Sequence, residues 1–263
     1  MIDTPAPEPL IERLDTVGWL VLPSIVDDGL IKELTAQIEA SLALRQEIRR
    51  RNRVDGNNDG TLHHLLGDHP CFVELLARFE QLDDLFKLYF RGNYILNSYG
   101  GVINRRDARA YVHEIHRDIR FSSDAKRFML NTLVMLDDFT LENGATHLLS
   151  GSQKHDRPTS DDFLSRAQRA VGERGSLLVF DSRLWHAAGH SSVDAPRRAL
   201  TLTFTSPFFK QQLDYPRLVG QERGGSLSPY LRQVIGYNSR VPASLAEYYL
   251  PTSERFYQRG QDD

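Results

Sequence analysis

With a single cysteine, Cys71, among its 263 residues, the chain can form no internal disulfide. A buried thiol in a reducing compartment is expected. No apolar run approaches the roughly 18 residues of a membrane helix. The opening stretch, MIDTPAPEPL, has neither the basic nor the apolar region of a signal peptide. Charge of one sign is also scarce: the net charge of −3 gives no general attraction to nucleic acid or membrane surfaces. Internal repeats and low-complexity segments are missing as well. These absences leave a cytoplasmic protein whose partner is a small molecule rather than nucleic acid or a membrane. Its oligomeric state is not legible.

What is present is enough for one large core, and all-β domains of this length are common. Residues 1–9 are Pro-rich and expected to be frayed. Leu10, Ile11 and Leu14 suggest a short helix ending near Gly18. WLVLPSIV (19–26) then reads as a strand. Asp27 or Asp28 offers an N-cap for a helix whose stripe is Leu30, Ile31, Leu34, Ile38 and Leu42. Residues 45–60, RQEIRRRNRVDGNNDG, lack an apolar face and read as a solvated loop, with a lid over an anionic substrate as the alternative. Pro70 opens a second helical region with a Phe/Leu stripe that Gly92 ends.

After Gly92 the texture becomes β-branched and aromatic. YILNSYGGVIN (94–104), FMLNTLVMLDDF (128–139), SLLVFD (176–181) and RALTLTFTS (198–206) stand between Gly, Asn, Asp and Ser turns. No ten-residue helices alternate with them, which disfavours a parallel sheet. The expectation is a mainly β fold with flanking helices: a double-stranded β-helix (jelly-roll, cupin-like) core with the N-terminal helices on one sheet. We expect one domain over 1–263, with 207–263 as a C-terminal extension that covers the barrel or forms an interface.

Within YVHEIHRDIR (111–120), His116 and Asp118 are two apart, so in an extended chain both side chains stand on one face. An imidazole and a carboxylate placed so, with a second imidazole from elsewhere, make the 2-His-1-carboxylate facial triad of non-haem Fe(II) oxygenases. His186, after the buried-strand pattern Leu177–Asp181, is the candidate for that second imidazole. Alternation also sorts two arginines. Arg198 is in phase with Leu200, Leu202 and Phe204, an apolar face. Arg197 is in phase with Ala199, Thr201, Thr203 and Thr205, a face suited to a small polar cavity. A guanidinium there fits a dicarboxylate; Arg197 is the choice and Arg198 the reserve.

The segment LVMLDDFTLENGATHLLSGSQK (133–154) resembles the phytanoyl-CoA dioxygenase (PhyH-like) branch of the Fe(II)/2-oxoglutarate oxygenases. The likeness runs from GWLVLPSIV to the Arg197 region in the family's order: His116-x-Asp118, Asn143-Gly144, Gly151-Ser152, Gly175-Ser176, Asp181, His186, Arg197. Gln153 stands where the family usually has His, and His190-Ser191 near a position often held by Asn. The resemblance implies that His116, Asp118 and His186 bind Fe(II) and that Arg197 binds the distal carboxylate of 2-oxoglutarate. Asn131 would be a further 2-oxoglutarate contact, or a hydrogen-bonded core amide. The cofactor set is then Fe(II), 2-oxoglutarate and O₂, and the reaction hydroxylation of an unactivated C–H of a small metabolite, releasing succinate and CO₂. Related halogenases replace the carboxylate ligand by a small residue, so Asp118 favours an oxygenase outcome. Rival readings are a cupin-like metalloenzyme without 2-oxoglutarate and a non-catalytic jelly-roll binding protein.

The remaining histidines read as surface or hydrogen-bonded residues: His113 on the far side of the metal strand, His63, His64 and His69 in a loop, His147 and His155 beside Gly151. His190 is nearer the site. Arg105, Arg106, Arg109, Arg117, Arg120, Lys126 and Arg127 cluster around the metal strand. They either favour an anionic substrate or form a solvated face balanced by Asp107, Glu114 and Asp124.

Overall fold

Strand alternation sorts this molecule into layers. The computed structural model describes residues 6–56, 58–108, 110–119 and 126–261; Arg109, Arg120 and Asp124 lie outside them. Among the described residues nine strands are seen: β1 (Trp19–Leu22), β2 (Thr61–His63), β3 (Ile95–Asn104), β4 (Met129–Met135), β5 (His147–Leu148), β6 (Gln168–Arg169), β7 (Leu177–Asp181), β8 (His186–Ala187) and β9 (Arg197–Thr205). A six-stranded sheet runs β1-β7-β4-β9-β3-β2, and a three-stranded one β6-β5-β8. Their pairs are antiparallel. This is the jelly-roll arrangement expected of two facing sheets.

One face of the large sheet is mostly apolar. Leu130, Val134, Leu177, Val179, Leu200, Leu202 and Phe204 belong to a single core with the helices. Those helices are α1 (Pro7–Thr16), α2 (Asp28–Asn52), α3 (Pro70–Arg78) and α4 (Asp83–Phe90). The α2 stripe is fully engaged, with Leu34 and Ile38 completely buried; each such side chain contributes roughly 1.5–3 kcal/mol relative to exposure. The other face of the sheet looks at the small sheet. Trp19, Leu133, Met135, Leu178, Phe180 and Ala199 fill that space with Phe139, Leu148 and Leu184. Among the described residues no helix is long and apolar enough to cross a membrane.

Several expectations need correction. The first helix begins at Pro7, because proline fits the first helical turn, where its missing N–H would be unpartnered anyway. β1 stops at Leu22, and Ser24 adopts a left-handed φ of 56°. Asp27 is the N-cap of α2, accepting from the Leu30 amide. The helix continues to Asn52, so residues 45–52 are helical rather than loop. Arg45 and Arg49 hold this polar end by donating to the outer carbonyls of the edge strand β2 and its flank: His63 and His64 from Arg45, Thr61 and Asn58 from Arg49. His63 itself lies in β2, not in a loop. The second helical region ends on Arg91, in the left-handed conformation, one residue before Gly92. Among the described residues, the last α-helix of the tail is Leu245–Tyr248. Three further helices, Tyr215–Val219, Gln221–Ser226 and Pro229–Ile235, precede it.

The turn that leaves β7 is fixed by a buried ion pair. Arg183 donates to both carboxylate oxygens of Asp181 at 2.9 and 2.7 Å, and the Tyr89 hydroxyl adds a third donor at 3.0 Å. Asp181 is 2% exposed. Asp181→Ala would remove the buried carboxylate that Arg183 and Tyr89 donate to, so it is expected to lower the unfolding free energy by about 3–5 kcal/mol. Chemical denaturation checks this, and a change within about 0.5 kcal/mol would mean that the pair does not hold the turn.

Candidate metal centre

His186 enters this turn's far side on β8, and His116 comes to meet it. The segment around His116 is not the strand the sequence suggested. Residues Tyr111–His113 form a 3₁₀ turn, and only His116 pairs, as an isolated antiparallel bridge to His186. Each of the two histidines donates its amide to the other's carbonyl at 3.0 Å. The Asp118 amide donates to Ser182 O at 3.1 Å. The extended stretch between His116 and Asp118 therefore delivers both side chains to one point, as the i, i+2 argument requires.

Both imidazoles are aimed by their other nitrogen. His116 Nδ1 lies 2.7 Å from Glu114 O, and His186 Nδ1 lies 2.9 Å from Leu184 O. With Nδ1 donating to a carbonyl, Nε2 is left as the lone-pair atom. The two Nε2 atoms stand 3.6 and 3.7 Å from the Asp118 oxygens, and one donor atom from each residue fits within 4.8 Å of the others. Transition metals hold nitrogen and oxygen ligands at roughly 2.0–2.2 Å, so one ion can touch all three. Burial pushes the His186 imidazole down, opposed by Asp118 and reinforced by His116. The neutral form is the one that coordinates. The other such grouping among the described residues is Glu33, His69 and Cys71. There burial and the Glu33 and Glu74 carboxylates push the thiol up to about 12, so it stays protonated.

Arg197 and Arg198 divide as alternation required. Arg198 faces the helices, binding Glu39 on α2 at 3.0 Å and Asp137 at 3.1 Å. Arg197 points inward, pairs across the ladder with Asn104, and is 1% exposed. Its guanidinium lies over Phe139, 4.3 Å from the ring centre. Its Nε and Nη1 have no hydrogen-bond partner among the described residues. Burial, then the charge of Arg169, push it down to about 10, against Asp137. A buried cation with idle donors is costly unless an anion fills its fork.

Asn131 sits against the triad. Its amide nitrogen donates to Asp118, and its oxygen accepts from Thr203 Oγ1 at 3.1 Å. His113 is in the 3₁₀ turn, stacked on His190 with ring centres 4.5 Å apart. Its Nε2 is 3.1 Å from Asn104 Oδ1. His147, in β5, is pushed down to about 4 by burial and by Arg169 and His190. The Asn143-Gly144 turn is a scaffold. Gly144 has φ 81°, and a Cβ there would meet Gly189 O at 2.3 Å. Of the arginines expected around the mouth, Arg105 binds Glu39, Arg106 binds Asp194, and Arg127 binds Asp15. Arg117 stacks on Trp185 and donates to Ser152 O. Sequence reasoning did not single out Phe139, Asn104, Thr203 or Tyr111. Only Thr203 carried a signal, its place in the Arg197 phase.

The family model for phytanoyl-CoA dioxygenase (PhyH) matches residues 14–199. The chain belongs to the phytanoyl-CoA dioxygenase family. It is a dioxygenase of this iron- and 2-oxoglutarate-dependent family, and His116, Asp118 and His186 could hold the metal. An uncharacterized protein of Mycobacterium tuberculosis is 29% identical over 261 residues, covering 95% of this chain and 94% of the relative. The iron/alpha-ketoglutarate-dependent dioxygenase ausU of Aspergillus calidoustus is 23% identical over 251 residues, 89% of this chain and 82% of that one. Among solved structures, HygX from Streptomyces hygroscopicus, with nickel and 2-oxoglutarate bound, superposes with a TM-score of 0.56 at 17% identity. It covers 78% of this chain and 89% of that one, a likeness of fold.

Proposed function

We propose that the chain is a non-haem Fe(II)- and 2-oxoglutarate-dependent hydroxylase of a small metabolite, with His116, Asp118 and His186 as the iron ligands. Arg197 takes the distal carboxylate of 2-oxoglutarate. The observation that carries this reading is the buried Arg197 guanidinium with two donor nitrogens idle among the described residues, on the same face of the large sheet as Asn131, the partner of Asp118. When bound, iron and 2-oxoglutarate together supply O₂ activation coupled to loss of CO₂ and formation of succinate. The protein's own part is to place and to shield. Glu114 O and Leu184 O orient the imidazoles. Asn131 holds the Asp118 carboxylate in one rotamer by donating to it. Arg197 and Phe139 offer a planar, water-poor cradle to a carboxylate. A single unit spans the chain, with 207–263 as cover: Gln211 donates to Leu96 O on β3 at 2.6 Å, and Val234 and Ile235 enter the helix-side core.

The test is an anaerobic titration of the Fe(II)-loaded protein with 2-oxoglutarate, watching the weak visible metal-to-ligand charge-transfer band. The band is expected in wild type and absent in His116→Ala. No band from wild type with iron demonstrably bound would put a metalloenzyme without 2-oxoglutarate in place of this reading.

A further inference from the structure

On the inner face of two central strands, three hydroxyl-bearing positions are only partly buried. β3 and β9 lie inside the sheet order, with neighbours on both edges. On the face that bears Asn131, Ser98, Thr201 and Thr203 are nevertheless partly exposed, while β7, on the far side of β4, is buried at every position. The register sets Thr203 opposite Ser98 and Thr201 opposite Gly100, and β2 then brings His63 opposite Gly100. A hollow therefore crosses the sheet from the metal ligands toward the β2 edge.

Its wall is polar. Asp118 accepts from Asn131, which accepts from Thr203. Two residues along β9, Thr201 Oγ1 would lie 2.9 Å from a Cβ placed on Gly100, and His63 Nδ1 3.4 Å from it. His63 Nε2 is 3.5 Å from the Tyr111 hydroxyl. Burial, then the Asp118 carboxylate, push that hydroxyl's pKa up. Gly100 is the flat point of the floor, and any side chain there would fill the hollow.

The chemistry of this wall is uniform. The Ser98 and Thr201 hydroxyls make no hydrogen bond to any described residue. Tyr111 keeps its proton. Burial, then His64, Arg49 and Arg45, push His63 down toward its neutral form. No lysine or arginine lies among these residues. Arg49 spends its guanidinium on the Thr61 and Asn58 carbonyls. Hydroxyls both donate and accept, and an apolar occupant would leave them unpaired at a real cost. A site built to bond hydroxyls discriminates strongly against analogues that lack them.

We infer that the face formed by Ser98, Gly100, Thr201, Thr203, His63 and Tyr111 is the substrate chamber and that it selects an uncharged, hydroxyl-rich molecule, a polyol or glycoside. This rests on the oxygenase reading for the place of the reaction, but the recognition follows from the wall alone.

The test uses protein loaded anaerobically with Fe(II) and 2-oxoglutarate, titrated separately with maltose, glucuronate and octanoate. Calorimetry reads binding, and the charge-transfer band reads approach to the metal. Maltose is expected to bind and to shift the band, with glucuronate weaker and octanoate silent. Thr201→Val and Ser98→Ala should each weaken maltose by about three- to tenfold, the worth of one hydrogen bond. Two variants guard against a folding defect in either. Preference for glucuronate over maltose, binding of octanoate alone, binding of none, or unchanged maltose affinity in both variants overturns the inference. A missing band before any probe is added indicts the iron and 2-oxoglutarate reading instead, while the calorimetric arm still judges the chamber.

Discussion

Arg197→Met is expected to abolish 2-oxoglutarate binding while leaving a protein that melts no lower than wild type. The two effects share one cause. In the ligand-free chain the guanidinium is buried, stacked on Phe139 and short of partners at Nε and Nη1. Removing an unpaired buried cation in favour of a side chain of similar length relieves a desolvation penalty of about 1–3 kcal/mol. The same change removes a fork that would make two charge-assisted hydrogen bonds to a carboxylate, each worth about 1.5–3 kcal/mol. Two to four orders of magnitude in 2-oxoglutarate affinity should go with them. Thermal melts with and without 2-oxoglutarate read both at once. Wild type should gain about 2.7 kcal/mol at a hundredfold excess over its Kd, and the variant should gain nothing. A variant that still responds to 2-oxoglutarate would place the carboxylate elsewhere.

His186→Ala should weaken Fe(II) by at least about 100-fold, the upper range for loss of a mere supporting residue. His113→Ala should bind the metal as wild type does. The contrast is informative because both imidazoles are inward and both are pushed down by burial. Only His186 presents a free Nε2 to Asp118, at 3.7 Å. His113 Nε2 is engaged by Asn104. Competition of Fe(II) with a chromophoric chelator measures the two affinities. Equal losses in the two variants would mean that the site is a diffuse imidazole cluster and not a triad.

How much of this was legible before the fold is a question of range. Alternation along β9 placed Arg197 inward and Arg198 against α2, because the phase of a strand is a local property. The i, i+2 spacing of His116 and Asp118 worked for the same reason, even though the segment is a lone bridge and not a ladder. The α2 end was not legible. Residues 45–52 have no apolar stripe, and what holds them is a set of guanidinium–carbonyl bonds to residues 9 to 19 positions away. The arginines around the metal segment looked like a mouth for anions because their partners, Glu39, Asp194 and Asp15, are distant in sequence. Asn131 was visible as a polar interruption in an apolar strand, but its bond to Asp118 exists only in three dimensions.

The mutual amide bonds of His116 and His186 bear on how the metal comes and goes. The two segments are tied to each other by the main chain, so an ion held by His116, Asp118 and His186 would not be the rivet between them. Release of iron would free two imidazoles and a carboxylate, and the strands would stay joined. Exchange of the ion can then run at the pace of ligand substitution, and an emptied centre is ready to be refilled without any refolding.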